Sequence, residues 1–231
     1  MKLGIIETGA PPRALRAEHG DYPAMFRRLL GEGAYDYATF DARQPLPSPE
    51  ACEAFIVTGS PASAYDPHPW VGALVEFLRA AKGRTALVGV CFGHQIMAQA
   101  FGGRVEKSDK GWGIGLHRYE VAARAPWMDG RAAFLAAASH QDQVVERPPA
   151  AEVLAGSDFT RFGMLAYADQ PAISLQLHPE FEPAFAKALI KARRDLYPED
   201  EAARAIESFA QGDERARLAG WIRDFLAQAK I

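Results

Sequence analysis

The chain has 231 residues, of which 48% are hydrophobic and 24% charged, a composition typical of a globular protein and not of a disordered or fibrous one. Its 29 acidic and 26 basic side chains leave a net charge of −3, so no electrostatic binding of nucleic acid or of an anionic membrane is expected. The apolar runs are too short to span a bilayer, and no signal-peptide pattern opens the chain. We therefore expect a cytoplasmic location.

Apolar strands alternate with amphipathic helices over the first part of the chain. The hydrophobic pattern predicts buried strands over residues 3–6, 54–57 and 85–90. It predicts helices over residues 22–30, 70–81 and, from about Gln95, 95–101. This alternation is typical of a parallel sheet that is covered by helices on both faces.

The second half of the chain is less regular. Shorter strands, separated by glycine and proline turns, are predicted within residues 104–120, 134–138, 151–156, 162–167 and 172–177. From Pro183 the pattern is helical, and a terminal helix carries Leu218, Ile222 and Phe225 on one face. We expect an α/β fold with a mostly parallel or mixed sheet, as one domain over residues 1–195 with a helical extension over 196–231 packed on it.

A candidate nucleophile lies where the strand over residues 85–90 passes directly into a helix. The sequence there, Gly89-Val90-Cys91-Phe92-Gly93, has the G-x-S-x-G pattern of a nucleophile elbow, with cysteine in place of serine. Glycine is needed two residues on either side because side chains there would collide. The positive end of the helix dipole favours the thiolate, the nucleophilic form of cysteine. The alternative is a buried cysteine in a tight turn.

A thiol nucleophile needs a base, and three histidines are candidates. His94 lies in the first turn after the cysteine, His140 lies in a loop, and His178 ends a strand. Glu180 follows His178 by two residues and could orient its imidazole, although an unrelated surface pair is the alternative. Because ligands of open α/β sheets bind at the carboxyl ends of strands, Cys91 and His178 are expected at the same edge.

The remaining features favour simpler interpretations. Glu7-Thr8-Gly9 follows the first strand and could line a pocket, but an ordinary exposed turn is favoured. Cys52 has no flanking glycines and is expected to be structural. No phosphate-binding glycine loop ending in Gly-Lys-Ser/Thr and no metal-ligand cluster is found in the sequence, so neither a cofactor nor a metal is expected.

Two segments resemble a known family of enzymes. Residues 89–95, with the sequence GVCFGHQ, and residues 176–180, with the sequence QLHPE, resemble the paired motifs of the class I glutamine amidotransferases. These are Cys-His-Glu enzymes that cleave the side-chain amide of glutamine. The resemblance implies Cys91 as the nucleophile, His178 as general base and acid, and Glu180 as the carboxylate that orients it. Attack on the amide would form a thioester, release ammonia and be completed by water.

The resemblance extends beyond the paired motifs, from about residue 50 to residue 182. Residues 58–66 are similar to the family's oxyanion loop, residues 111–115 to its mid-domain strand, and residues 139–142 to the Ser-His-Gly-Asp stretch of the GMP synthetase type. A flavodoxin-like class I amidotransferase fold is implied.

The resemblance also implies which groups bind the oxyanion and the substrate. Backbone N–H groups of Phe92 and of the turn formed by Gly59 and Ser60 would hold the oxyanion. Ser60 stands where the family often has glycine, and serine does not tolerate positive φ as glycine does, so the geometry of the oxyanion hole does not follow from the sequence. The residues implied at the substrate are Gln95, Ser139, His140 and Asp142.

Three functions are compatible with these residues. The first is a freestanding amidotransferase or glutaminase that passes ammonia to a separate synthetase, since the chain has no room for a synthetase domain after the core. The second is a γ-glutamyl peptidase-like hydrolase that acts on γ-glutamyl peptides or metabolites. The third is a non-catalytic module that binds a metabolite or a partner, which the presence of Cys91, His178 and Glu180 disfavours.

Overall fold

In the computed structural model, which describes residues 1–229, a nine-stranded sheet forms the centre of the molecule. The strands are β1 (Lys2–Glu7), β2 (Asp36–Asp41), β3 (Ala54–Val57), β4 (Ala86–Val90), β5 (Arg104–Lys107), β6 (Gly113–Val121), β7 (Ala133–His140), β8 (Asp142–Glu146), β9 (Ala151–Gly156), β10 (Met164–Tyr167) and β11 (Ala172–Leu175). The helices are α1 (Arg13–His19), α2 (Tyr22–Leu30), α3 (Pro69–Ala81), α4 (Phe92–Ala100), α5 (Pro183–Ala192), α6 (Glu199–Ser208) and α7 (Arg215–Gln228).

The central sheet is mixed, with strand order β2-β1-β3-β4-β11-β10-β9-β6-β7. The first five strands in this order pair in parallel, and the pairs from β11 to β7 are antiparallel. Strands β5 and β8 form a separate antiparallel pair. The arrangement confirms the predicted α/β fold, and it places the carboxyl ends of β1, β3, β4 and β11 side by side at one edge.

Strand β3 shows why the central strands are continuous apolar runs. Ala54 and Ile56 pack in the cluster that includes side chains of α2 and α7, whereas Phe55 and Val57 pack in the cluster that includes side chains of α3 and α4. Successive side chains of a strand point to opposite faces, so a strand covered on both faces must be apolar at every position. All four side chains are fully buried.

The helices after residue 196 pack on the same core. Leu218, Ile222 and Phe225 of α7 lie in the cluster formed with the central strands, and the ring of Trp221 meets that of Phe134 on β7 edge-to-face at 5.3 Å. The helical extension predicted over residues 196–231 is therefore packed on the same core as the rest of the chain. The boundary between 195 and 196 stays a prediction, and the last two residues of 196–231 lie outside the described part of the chain.

Several details of the local structure differ from the predictions. Helix α1, strand β2 and strand β8 were not predicted, and His140, expected in a loop, is the last residue of β7 because it pairs with Gly113 of β6. Helix α4 begins at Phe92, directly after Cys91, and not at about Gln95. The earlier start matters because it places the first turn of the helix, with its free N–H groups, against the candidate nucleophile.

Candidate active site

The candidate active site lies at the carboxyl ends of the neighbouring parallel strands β3, β4 and β11. Gly59, Cys91 and His178 follow these three strands. A methyl group placed on Gly59 would lie 3.1 Å from Cε1 of His178 and 3.7 Å from Cβ of Cys91. The structure therefore brings Cys91 and His178 close to the same glycine, as expected for strands of an open sheet.

Cys91 occupies a sharp turn with an unusual backbone conformation. Its φ is 54° and its ψ −103°, and within residues 1–229 no other non-glycine residue has positive φ. Such a conformation costs about 1–3 kcal/mol and persists only where the surroundings fix it. Here the N–H of Cys91 donates to the carbonyl of Leu175 on β11 at 2.8 Å, and its carbonyl accepts from the N–H of Gln95 at 3.0 Å.

The two glycines that flank Cys91 allow close approach of the backbone. A Cβ on Gly89 would lie 2.5 Å from the carbonyl oxygen of Gly93, and a Cβ on Gly93 would overlap the carbonyl oxygen of Val57 on β3. The N–H of Gly93 also donates to the carbonyl of Thr58 at 3.2 Å. Because the clashing atoms are backbone atoms of the sheet and of the helix, no side-chain rotation would relieve them.

His178 is held rigidly by two neighbours. Its Nδ1 lies 2.7 Å from Oε1 of Glu180, and its ring stacks on that of Phe181 with centroids 3.9 Å apart and planes 9° from parallel. His178 is 3% exposed and Glu180 1%. With Nδ1 engaged by the carboxylate, Nε2 is the ring nitrogen left for a reacting group.

The charge state of His178 follows from these neighbours. Burial, the largest influence, lowers the pKa of His178, but the carboxylate of Glu180 and then Cys91 raise it, and together they bring the pKa above its ordinary value near 6.5. The imidazole therefore keeps its proton at neutral pH. A buried imidazolium–carboxylate pair thus stands next to the thiol, and an imidazolium stabilises a neighbouring thiolate.

The other two candidate histidines are engaged elsewhere. Nδ1 of His94 lies 2.8 Å from the hydroxyl of Ser174 on β11. Nδ1 of His140 lies 3.2 Å from the carbonyl of Asp142, and its Nε2 lies 3.4 Å from the hydroxyl of Thr160. Burial lowers the pKa of both imidazoles to about 3, so both are neutral at physiological pH.

The loop after β3 is fixed by a hydroxyl at the end of β1. The Thr8 hydroxyl lies 3.0 Å from the carbonyls of Thr58 and Gly59 and can donate to either, and the Thr8 N–H donates to the Thr58 hydroxyl at 3.1 Å. Thr8 and Gly9 are buried. The expectation of an exposed turn at residues 7–9 is therefore wrong: pairing of β1 with β3 buries the turn beneath the candidate oxyanion loop.

Ser60 fits its position in this loop without the strain that a positive φ would bring. Within residues 1–229, positive φ at a non-glycine position is confined to Cys91. The Ser60 hydroxyl donates to the carbonyl of Thr8 at 2.9 Å and accepts from the N–H of Ala62 at 3.1 Å. Serine therefore adds two hydrogen bonds that glycine would lack.

Across the site, the N–H of Phe92 is at the first position of α4, where no acceptor exists within the helix.

We expect that Thr8→Val will loosen the loop while keeping the size of the side chain. Loss of the buried hydroxyl leaves carbonyl acceptors without their donor, so the free energy of unfolding is expected to fall by about 1–3 kcal/mol. Hydrolytic activity is expected to fall by about tenfold or more, since misplaced oxyanion donors cost that much or more. Chemical denaturation and substrate hydrolysis measure the two effects, and Thr8→Ser, which keeps the hydroxyl, is the matched control. Equal activity in both variants would contradict this role.

A cavity of about 310 Å³ opens beside Cys91. Its size is at the lower end of the range of small-molecule sites. The predicted substrate residues Ser60, Gln95, Ser139, His140 and Asp142 all line it. Gly59 and Phe92, which are predicted to act through their N–H groups, are not among the lining residues but flank Cys91 in the fold.

Asp142 presents a carboxylate to this cavity. Its Oδ2 accepts from the Ser63 hydroxyl at 2.5 Å and its Oδ1 from the Tyr65 hydroxyl at 3.1 Å. Nε2 of Gln95 donates to the backbone carbonyl of Asp142 at 2.8 Å and to Oε1 of Gln176 at 3.1 Å. Gln95 therefore ties α4 to the segment that carries Asp142.

Some residues of the site were not predicted from the sequence. Thr8 fixes the loop, and three further side chains line the cavity, namely Lys107, Trp112 and Arg193. Trp112 lies inside the segment 111–115 that resembles the family's mid-domain strand, which is the one available signal. Lys107 and Arg193 lie in segments without a motif.

No group of three or more His, Cys, Asp or Glu side chains in residues 1–229 is placed to hold a metal ion. Over the same residues, no helix has the length and apolar character needed to cross a membrane.

Comparisons with known proteins find several relatives of this chain. A glutamine amidotransferase-like protein of Schizosaccharomyces pombe is 26% identical over 248 aligned residues, covering 98% of both chains. Gamma-glutamyl peptidase 3 of Arabidopsis thaliana is 27% identical, covering 72% of each. A subunit of the glutamine-hydrolyzing GMP synthase of Methanopyrus kandleri is 27% identical, covering 71% of this chain and 86% of its own.

Structural similarity extends over the whole chain. The crystal structure of a glutamine amidotransferase from Thermotoga maritima superposes with a TM-score of 0.79 at 17% identity, covering 98% of both chains, and this likeness shows the fold. The family model for glutamine amidotransferase class-I matches residues 25–193. The chain therefore belongs to the class I glutamine amidotransferase family.

Proposed function

We propose that the protein is a cysteine hydrolase that cleaves a γ-glutamyl amide bond through a thioester on Cys91. One observation carries the proposal: Cys91 lies at a strained strand-to-helix turn beside the buried His178–Glu180 pair, at the wall of a cavity. A nucleophile, a proton carrier and an orienting carboxylate are the three parts that nucleophilic catalysis requires.

In the first half of the proposed reaction, Sγ of the Cys91 thiolate adds to the γ-carbonyl carbon. The carbonyl oxygen becomes an oxyanion, held by the N–H groups of Phe92 and of the Gly59–Ser60 turn. When the tetrahedral intermediate collapses, the C–N bond breaks and His178 transfers its proton to the leaving nitrogen. The products are a γ-glutamyl thioester and a free amine, which is ammonia when the substrate is glutamine.

In the second half, water hydrolyses the thioester. Neutral His178 takes a proton from the water as the oxygen adds to the thioester carbon. The C–S bond then breaks, glutamate leaves, and the Cys91 thiolate and the His178 imidazolium are restored. Glu180 holds the imidazole orientation in both halves through its bond to Nδ1.

Asp142 is the proposed site for the α-ammonium group of the substrate. Its carboxylate lines the cavity and accepts from two neutral hydroxyl groups, those of Ser63 and Tyr65. Since hydrogen bonds between a carboxylate and an ammonium group are stronger than those between neutral groups, an ammonium is the group this wall would bind best.

Two substrates fit this chemistry. Glutamine would make the protein a glutaminase or the ammonia-producing part of an amidotransferase, with ammonia passed to a separate synthetase; the similarity to the GMP synthase subunit of Methanopyrus kandleri supports this candidate. A γ-glutamyl peptide or metabolite would make it a peptidase-like hydrolase, which the similarity to gamma-glutamyl peptidase 3 supports. A non-catalytic binding module is disfavoured because Cys91, His178 and Glu180 are arranged together.

The proposed function is tested by measuring amine release from L-glutamine and from γ-glutamyl dipeptides by the purified protein, with Cys91→Ala as the blank. Rapid release of ammonia from glutamine is expected of a glutaminase that works without a partner. Selective cleavage of the dipeptides is expected of the peptidase. Release from neither substrate by folded protein would contradict a freestanding γ-glutamyl hydrolase.

A further inference from the structure

Two cationic side chains of the cavity have no carboxylate partner. Lys107 lies at the end of β5, and Arg193 lies directly after α5. Within residues 1–229, neither forms an ion pair, whereas neighbouring cations such as Arg104 and Arg215 do. Unpaired cations at the wall of a cavity are available to an anionic ligand.

Lys107 is placed next to the proposed ammonium site. Lys107 of β5 and Asp142 of β8 are cross-strand partners in the two-stranded sheet. Both line the cavity, and they form no ion pair with each other. A cation and a carboxylate set side by side in this way match the α-carboxylate and the α-ammonium of a γ-glutamyl group, which are attached to one carbon atom.

Arg193 lies directly after α5, and this helix packs against the segment that carries His178. The ring of Phe185 on α5 meets that of Phe181 edge-to-face with centroids 4.7 Å apart, and Phe181 stacks on His178. The ring of Tyr22 also stacks with that of Phe181, the ring beneath His178. His178 is the proposed proton donor to the leaving nitrogen, so Arg193, at the end of the helix that packs on this side of the site, is the cation that we assign to the leaving group.

The charges of the cavity can be compared with those of the two substrate classes. The wall offers one carboxylate, that of Asp142, and two cations, those of Lys107 and Arg193. Glutamine carries one ammonium and one carboxylate, which leaves one cation of the wall unused. A γ-glutamyl amino acid or peptide carries one ammonium and two carboxylates, which matches the wall group for group.

We propose that the substrate is a γ-glutamyl amide whose leaving group carries a carboxylate, as in a γ-glutamyl amino acid or peptide. Lys107 holds the α-carboxylate of the γ-glutamyl group, and Arg193 holds the carboxylate of the leaving group. This inference rests on the proposed hydrolase and names its substrate class.

The test compares kcat/KM for γ-glutamylglycine and γ-glutamylglycinamide, whose leaving groups carry a carboxylate and a neutral carboxamide, respectively. The wild-type protein is expected to prefer the acid by about tenfold to a hundredfold, the usual worth of a hydrogen bond to a charged group. Arg193→Met is expected to lose this preference, while Arg193→Lys, which keeps the charge, retains most of it. Arg194→Met removes a neighbouring charge outside the cavity and is expected to keep the full preference.

A second pair of variants separates the roles of the two cations. Lys107→Met is expected to lower kcat/KM for both substrates by a similar factor, because both carry the α-carboxylate. Lys110→Met, a nearby cation that does not line the cavity, is the control. Thermal unfolding checks that each variant is folded.

The outcomes distinguish this inference from the proposed function. Equal cleavage of acid and amide by the wild type, or a preference that survives in Arg193→Met, would overturn the inference and leave the hydrolase standing. Cleavage of neither compound, nor of glutamine, would overturn the hydrolase itself.

Discussion

Cys91→Ser is expected to lower kcat/KM for γ-glutamyl amide hydrolysis by about 10⁴-fold or more, the scale of losing a nucleophile that acts as part of a triad. Serine is nearly the same size, so the loss is chemical. A serine hydroxyl needs a neutral imidazole to take its proton, whereas the raised pKa of His178 keeps that imidazole protonated at neutral pH, against the lowering influence of burial. The rate of amine release from one γ-glutamyl amide at a time gives kcat/KM for the wild-type protein and for the variant.

The control for this variant is the second cysteine. Cys52 is buried at 3% exposure, beside Gly4 of β1 and away from the cavity. Cys52→Ala is expected to keep wild-type turnover, with at most a modest loss of stability. Turnover by folded Cys91→Ser at the wild-type rate, or a loss of turnover in Cys52→Ala at unchanged stability, would contradict the assignment of the nucleophile.

Glu180→Gln is expected to lower kcat by about 10³-fold to 10⁴-fold, as when the orienting carboxylate of a triad is neutralised. It is also expected to change the pH profile. Burial lowers the pKa of His178, Glu180 is the strongest influence raising it, and the amide removes that influence. The pKa of His178 should therefore fall, and the alkaline limb of the profile, where His178 loses its proton, should move to lower pH.

The raised pKa of His178 also affects the stability of the wild-type fold. Because the pKa of His178 is raised in the folded protein, its ion pair stabilises the fold below pH 6.5, and this contribution is lost as pH rises through the raised value. Glu180→Gln should lose this stabilisation at neutral pH.

The pH dependence of Cys91 alkylation by iodoacetamide gives an independent measure of the His178 titration. An alkaline limb that stays in place in Glu180→Gln would contradict the ion pair.

The parts of the site that could be predicted from the sequence are those with a local signal. Cys91 is marked by glycines two residues away on each side, which are required because their Cβ atoms would meet backbone atoms. The strands before Gly59 and Cys91 are continuous apolar runs, and the strand before His178 is apolar except at Ser174, since both faces of the sheet are covered. The rule that ligands bind at the carboxyl ends of such strands then predicts that Cys91 and His178 lie at the same edge.

The parts that could not be predicted depend on contacts between distant segments. Thr8 lies between a strand and a glycine, a position typical of an exposed turn, and its burial follows only from the pairing of β1 with β3. Strand β2 is at the edge of the sheet and is partly exposed along its length, so it lacks the apolar run that marks the central strands. Lys107 and Arg193 are brought to one cavity only by the tertiary fold, and a charged residue at the end of a strand or helix carries no local signal.

Covalent labelling of Cys91 by a γ-glutamyl diazoketone is the most direct test of the central claim that this thiol attacks a γ-glutamyl group. The ketone of the reagent lies where the γ-carbonyl would lie, and its diazo carbon takes the place of the amide nitrogen. Once this carbon is protonated, the thiolate displaces N₂ from it and forms a C–S bond, so labelling requires both the nucleophile and the γ-glutamyl site. Peptide mass spectrometry is expected to find one label on Cys91, reduced by excess γ-glutamylglycine and absent in Cys91→Ala. Hydrolytically active protein that is labelled on Cys52, or that carries no label and keeps its activity, would contradict the claim.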